Sequence, residues 1–145
     1  MIKLPERIIA FDPGRTTGII KAIRVGRKQF YIDSWDEVKL DLFPEYLHQL
    51  MLSDFNTVVV EDFRLYAHKS DAQINNDFPS VQAIGMIKMV CHLHCRKEIV
   101  FQMASAAKGV GLEPDVLKAI RSPHVRDAYR HIKYYILLSK NDVQE

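Results

Sequence analysis

Apolar residues fall in short runs through the first third of the chain and at helical spacing through the last. Arg7 to Asp12 is an apolar run that stops at Asp12-Pro13-Gly14, which predicts a strand followed by a turn. Gly18 to Val25, rich in isoleucine, predicts a second strand. Gly26-Arg27-Lys28 then predicts a hairpin link into Gln29 to Trp35, where Phe30, Ile32 and Ser34 alternate with Tyr31, Asp33 and Trp35. Three strands joined by short links make an antiparallel meander. Leu42, Tyr46, Leu47, Leu50 and Met51 recur at the spacing of an amphipathic helix.

Thr57 to Val60 is continuously apolar and β-branched, the pattern of a strand covered on both faces. Reached through a helix, it is expected to run parallel to its neighbour. From Asp62 to Asp77 the chain turns polar and loses any period, which predicts a long exposed loop. Ser80 is expected to cap a helix through Val81, Ile84, Ile87, Val90 and Cys91 to about Arg96. Gly85 inside that helix costs about 1 kcal/mol relative to Ala, which a close packing partner would offset. Glu98 to Gln102 predicts a fifth strand, and Gly109 and Gly111 interrupt the segment that follows. Ser122-Pro123 places a capping residue before a proline at the first helical position, and Ala128, Tyr129, Ile132, Tyr135, Ile136 and Leu138 supply the apolar surface of a last helix. The order is β-β-β-α-β-α-β-α: one α/β domain over 1–145, with a tail that frays from about residue 140.

At 145 residues and 48% hydrophobic content, the chain suits one packed domain. The formal net charge of +2 permits a nucleic-acid partner without arguing for one. Cys91 and Cys95 are the only cysteines, with no disulfide framework, and no run of about 18 apolar residues or secretory leader is present. A soluble, reducing, cytoplasmic setting is expected, with no membrane partner.

The acidic residues change the picture. Asp12 closes the first strand, Glu61 closes Val58-Val59-Val60, and Asp127 follows Ser122-Pro123-His124 at the start of the last helix. Each stands alone as an ordinary strand end or first-turn acid. Brought together, three carboxylates would repel unless cations neutralised them, which points to divalent metal and phosphate chemistry. Side chains alternate along a strand, so only one of Glu61 and Asp62 can join Asp12, and periodicity does not choose between them. His124, Asp127 and His131 share one helix face, where Asp127 sits near the positive end of the helix dipole. His131 reads as an ordinary surface residue.

Lys108, Lys118, Arg121, Arg126, Arg130 and Lys133 gather around Asp127 in the sequence, a basic concentration that could hold a polyanion. Cys91-His92-Leu93-His94-Cys95 lacks the second ligand pair of structural zinc, and its cysteines read as small buried side chains. Asp12-Pro13-Gly14-Arg15-Thr16-Thr17-Gly18 lacks the Gly-Lys-Ser/Thr ending of a P-loop and leads into a strand. Actin-like and sugar-kinase ATPases use an Asp-x-Gly turn of this kind, but close two such domains around a nucleotide. This sequence offers one.

Ile9-Ala-Phe-Asp-Pro-Gly-Arg-Thr-Thr-Gly-Ile19, Val58-Val-Val-Glu-Asp-Phe-Arg-Leu-Tyr66, Phe78-Pro-Ser-Val-Gln-Ala-Ile-Gly85 and His124-Val-Arg-Asp-Ala-Tyr-Arg-His131 closely resemble, in that order, the phage-encoded branch of RuvC-like Holliday junction resolvases. The resemblance implies a ribonuclease H-like fold, with a five-stranded mixed sheet ordered 3-2-1-4-5 and flanked by helices. It selects Glu61 over Asp62, and it implies two Mg²⁺ or Mn²⁺ ions per site held by Asp12, Glu61, His124 and Asp127. A nitrogen ligand such as His124 suits Mn²⁺ better than Mg²⁺. Lys108 is expected near the scissile phosphate, and Arg15, Arg64, Lys69, Lys108, Arg121, Arg126 and Arg130 are the candidate DNA contacts. The helix of Gly85 matches the family's dimer-forming helix.

The implied activity is paired, symmetric nicking of a four-way DNA junction by a homodimer, leaving 5′-phosphate and 3′-hydroxyl ends, in a bacterial host cell if the chain is phage-encoded. Related nucleases acting on flaps, forks or packaged phage DNA share these features. A non-catalytic DNA-binding module would not need the complete acidic set.

Overall fold

The computed structural model describes residues 2–63, 78–95, 98–138 and 143–144, with residues 95, 143 and 144 described by backbone alone. Five strands form one mixed sheet: β1 (Glu6–Asp12), β2 (Thr16–Arg24), β3 (Phe30–Lys39), β4 (Thr57–Asp62) and β5 (Ile99–Met103). Their spatial order is 3-2-1-4-5, as the resemblance implied. β1, β2 and β3 form the expected antiparallel meander, while β4 runs parallel to β1 and β5 parallel to β4.

The helices are α1 (Phe43–Gln49), α2 (Pro79–Val90), α3 (Ala104–Ala107), α4 (Pro114–Ala119) and α5 (Pro123–Leu137). Proline opens α2, α4 and α5, where its missing N–H removes no helical hydrogen bond. Ser80 is not the cap of α2. Phe78 holds that position with φ 47°, and Pro79 already takes the first helical place. α2 then widens into a π turn over Cys91–Cys95. Within the tail expected to fray, Val143–Gln144 pairs in parallel with Ile2–Lys3, ladder bonds that side-chain patterning does not reveal.

Alternation along β1 divides the core. Ile9 and Phe11 join Ile19, Val58 and Val60 beneath α1 and α2, with Phe43, Leu47, Ala83 and Ile87. Ile8 and Ala10 join Ile20, Ala22 and Val59 beneath α5, with Val125, Ala128, Tyr129, Ile132 and Ile136. The same alternation turns Asp12 and Glu61 toward α5, and Asp62 toward the other face.

Candidate active site

Register aligns the chemistry into a row. Gly18 pairs with Glu37 on one side and Asp12 on the other, and Glu61 pairs with Gln102. The last parallel pair of β1 and β4 is Phe11 with Val60, so Asp12 and Glu61 follow it side by side. Glu37, Gly18, Asp12, Glu61 and Gln102 therefore cross the end of the sheet, with the first two turns of α5 lying over them.

Two features place α5 there. Ser122 Oγ accepts from the Val125 N–H at 3.2 Å, capping the helix as expected, and its hydroxyl donates to the Glu37 carboxylate. Gly18 lets the helix touch the sheet: a Cβ at this position would stand 2.1 Å from the His124 carbonyl oxygen. The glycine thus serves close packing, and the turn before it needs no phosphate to explain it. His124 Nδ1 comes to 3.9 Å from Asp12 Oδ2.

Crowding sets the charges. Burial, and then the charge and hydrogen bond of Glu61 with a further contribution from Asp127, push the Asp12 carboxyl from 3.8 up to about 9. Asp12 therefore keeps a proton at neutral pH and donates it to Glu61. Burial also pushes Glu61 up, but hydrogen bonds from His131 and Asp12, with the charges of His131 and Lys108, outweigh it and hold Glu61 below 4.5.

His131 is the residue that the sequence reading assigned wrongly. It is 1% exposed, with Nδ1 2.8 Å from Gln102 Oε1 and Nε2 2.9 Å from Glu61 Oε2. Its spacing of three from buried Ala128 was the available signal. Polarity argued for solvent, and the partners that overturn that argument, Gln102 and Glu61, lie on two other elements.

Asp127 is half-exposed and receives Arg130 Nη1 at 2.6 Å. A cavity of about 320 Å³ opens between α5 and the α3 region, lined by Glu61, Ala104, Ala107, Lys108, Asp127, Arg130 and His131. Among the described residues no three His, Cys, Asp or Glu side chains are grouped closely enough to hold an ion as placed. A wider cavity of about 630 Å³, walled by Arg15, Lys39, Pro44 and Gln82 among others, contains none of the acid set.

The basic residues divide by use. Lys108 reaches the acid cavity and Arg15 and Arg121 are exposed. Arg126 works inside the chain, its Nε donating to Ile120 O at 2.6 Å and Nη2 to Leu117 O at 2.8 Å, so it braces α4 against α5. Lys133 donates to Gly111 O at 2.8 Å and to Glu113. Arg64 and Lys69 lie outside the described residues.

No protein-family model matches the sequence, and no curated protein matches it. Solved structures do match in fold. Thermus thermophilus RuvC superposes with a TM-score of 0.66 at 14% identity, over 91% of this chain and 96% of that one. T. thermophilus RuvC in complex with a Holliday junction substrate gives 0.61 at 16% identity, over 90% and 92%. The chain has the RuvC fold.

Proposed function

We propose that this protein is a divalent-metal-dependent endodeoxyribonuclease that resolves four-way DNA junctions. The observation that carries this reading is the meeting of Asp12 and Glu61 under the start of α5, beside His124 and Asp127. Support comes from the RuvC fold, one structure of which holds a Holliday junction substrate.

The donor set fits a hard divalent cation. Asp12 retains a proton up to about pH 9 because it is partly buried and meets the Glu61 carboxylate there. A cation there would replace the proton. Asp12, Glu61, His124 and Asp127 would hold Mg²⁺ or Mn²⁺, two ions per site, once Asp127 turned from Arg130. Bound there, the metal would supply Lewis acidity to the phosphodiester and a reactive water at neutral pH.

The remaining work falls to the chain. Asp12 releases its proton and offers two oxygens from the central strand, with Glu61 and Asp127 on either side. Lys108, exposed at the cavity rim, supplies positive charge where the phosphoryl group becomes more negative. Arg15, Arg121 and Arg130, with Arg64 and Lys69, would carry DNA backbone contacts. Hydrolysis would leave 5′-phosphate and 3′-hydroxyl ends.

Paired nicking calls for two sites, and α2 offers a surface for a second copy. Val81, Met89 and Leu93 are exposed along one side, and Gly85 between them has nothing within 4 Å of an added Cβ. Among the described residues, then, no partner offsets this glycine, and a homodimer would supply it.

The test is incubation of purified protein with labelled four-way, flap, fork and linear DNA, with Mg²⁺, Mn²⁺ or chelator. Metal-dependent paired cuts confined to the four-way junction are expected. Preferential cleavage of flaps or forks would reassign the substrate, and junction binding without turnover under any metal would refute the enzyme.

A further inference from the structure

Glu61 differs from the other acids of the site in how it is held. Asp127 is 49% exposed and, among the described residues, pairs with Arg130, whose side chain is 29% exposed. Glu61 faces a ring fixed at both nitrogens: His131 Nε2 stands 2.9 Å from its Oε2, while Nδ1 stands 2.8 Å from Gln102 Oε1. His131 and Gln102 are 1% and 8% exposed, so the ring and its Gln102 contact are shielded from water, while Glu61, 22% exposed, still faces the cavity. Register places Gln102 directly beside Glu61 on the neighbouring strand, and the helix places His131 one turn after Asp127. The chain therefore spends a buried histidine and a buried amide on a single carboxylate.

We infer that His131, anchored by Gln102, is a positioning residue that locks the Glu61 carboxylate in its ligand orientation, an inference that rests on the metal-dependent reading above. A glutamate at a strand end turns about three side-chain bonds. A ring that cannot rotate without losing both partners removes that freedom before any cation arrives. Partners of this kind beyond the ligands typically account for 10–100-fold in metal affinity or activity.

The test measures Mn²⁺ binding to the purified full chain without DNA, by calorimetry and by loss of the free-ion paramagnetic resonance signal. Wild type is compared with His131→Phe, Gln102→Leu and the double variant. His131→Phe is expected to weaken Mn²⁺ binding about 10–100-fold and to raise the Mn²⁺ concentration for half-maximal cleavage by the same factor, with KM for junction DNA unchanged. Gln102→Leu is expected to act in the same direction but less, and the double variant to be no weaker than His131→Phe alone. A lowered melting temperature with unchanged Mn²⁺ affinity in the folded variants would mean a merely structural role and overturn the inference, as would additive effects in the double variant. If His131→Phe does not fold, Gln102→Leu decides alone, unchanged affinity overturning it. Wild-type protein that binds Mn²⁺ and cleaves junctions while the variants match it defeats this inference only. Wild-type protein that does neither defeats it together with the nuclease reading.

Discussion

Strand β1 carries a carboxylate near each end, buried at Glu6 and half-buried at Asp12, and the two ends are built in opposite ways. At its start, Glu6 Oε1 pairs with Arg24 Nη1 at 3.2 Å, while Thr57 and Tyr135 donate to its other oxygen. Arg24, itself fully buried, also donates through Nε to the carbonyls of Gly26 and Arg27 at 3.3 and 3.2 Å. Every charge there has a partner. At the far end, Asp12 meets a second carboxylate and lies in the field of a third, and burial with their repulsion keeps it protonated. The first arrangement specifies a structure. The second leaves repulsion that, on the nuclease reading proposed above, a cation would relieve, in keeping with the strain that functional sites retain.

The comparison can be broken at either end, and the largest effect is expected at the acid end. Asp12→Asn should lower junction cleavage by at least about 1000-fold. It should also raise the melting temperature in chelator, because the substitution removes the crowding, and Mn²⁺ should no longer stabilise the variant. Junction cleavage at wild-type rate, or a lowered melting temperature in chelator, would contradict this account.

At the paired end the signs reverse. Arg24→Met should cost about 3–5 kcal/mol in urea denaturation, since it leaves Glu6 buried without its cation. The double change Glu6→Leu/Arg24→Met should recover most of that loss, with cleavage retained by the folded protein. A double variant as unstable as the single one would show that the pair does more than neutralise itself.

Gly18→Ala comes next in size. Its Cβ would strike the His124 carbonyl, which is backbone and cannot swing aside. A loss of about 1–3 kcal/mol is expected, with cleavage reduced as the start of α5 lifts from Asp12. Gly109→Ala, which meets nothing within 4 Å, should stay within about 0.5 kcal/mol of wild type in the same denaturation series.

The smallest effect concerns Glu113, a carboxylate satisfied yet exposed. Burial pushes its pKa up, but hydrogen bonds from Lys133 and Tyr129 and the Lys133 charge hold it below 4.5. A lowered folded value stabilises the protein above the ordinary 4.5, and that contribution is lost as pH falls through the folded value. With a side chain 49% exposed, Glu113 should contribute less than about 1 kcal/mol. Glu113→Gln should flatten the stability profile between pH 6 and 3 by that amount, and an unchanged slope would remove the pair from consideration.

Much of the fold is legible along the chain, because strands and helices announce themselves through local period. The meander, the covered strand β4 and the Ser122-Pro123 start of α5 are all local statements, and each stands in the structure. Phe78 as the cap of α2 and the pairing of Val143–Gln144 with Ile2–Lys3 are not, since backbone angle and ladder bonds leave no periodic trace. Arg126 counted among the basic residues by charge, yet its Nε and Nη2 donate to carbonyls of α4 and its C-terminal end.

For the candidate site, sequence alone determined which acids close strands and which acid opens the last helix, because strand ends and caps are written in neighbouring residues. Choosing Glu61 over Asp62 took the family resemblance, and the alternation of β4 beneath α5 places Glu61 on the face of Asp12. Only the tertiary structure decided that Gly18 seats a helix and that His131 braces Glu61 rather than meeting water. Those roles depend on register and helix placement, which sum contacts between residues 29 to 106 positions apart. No local pattern can carry that sum.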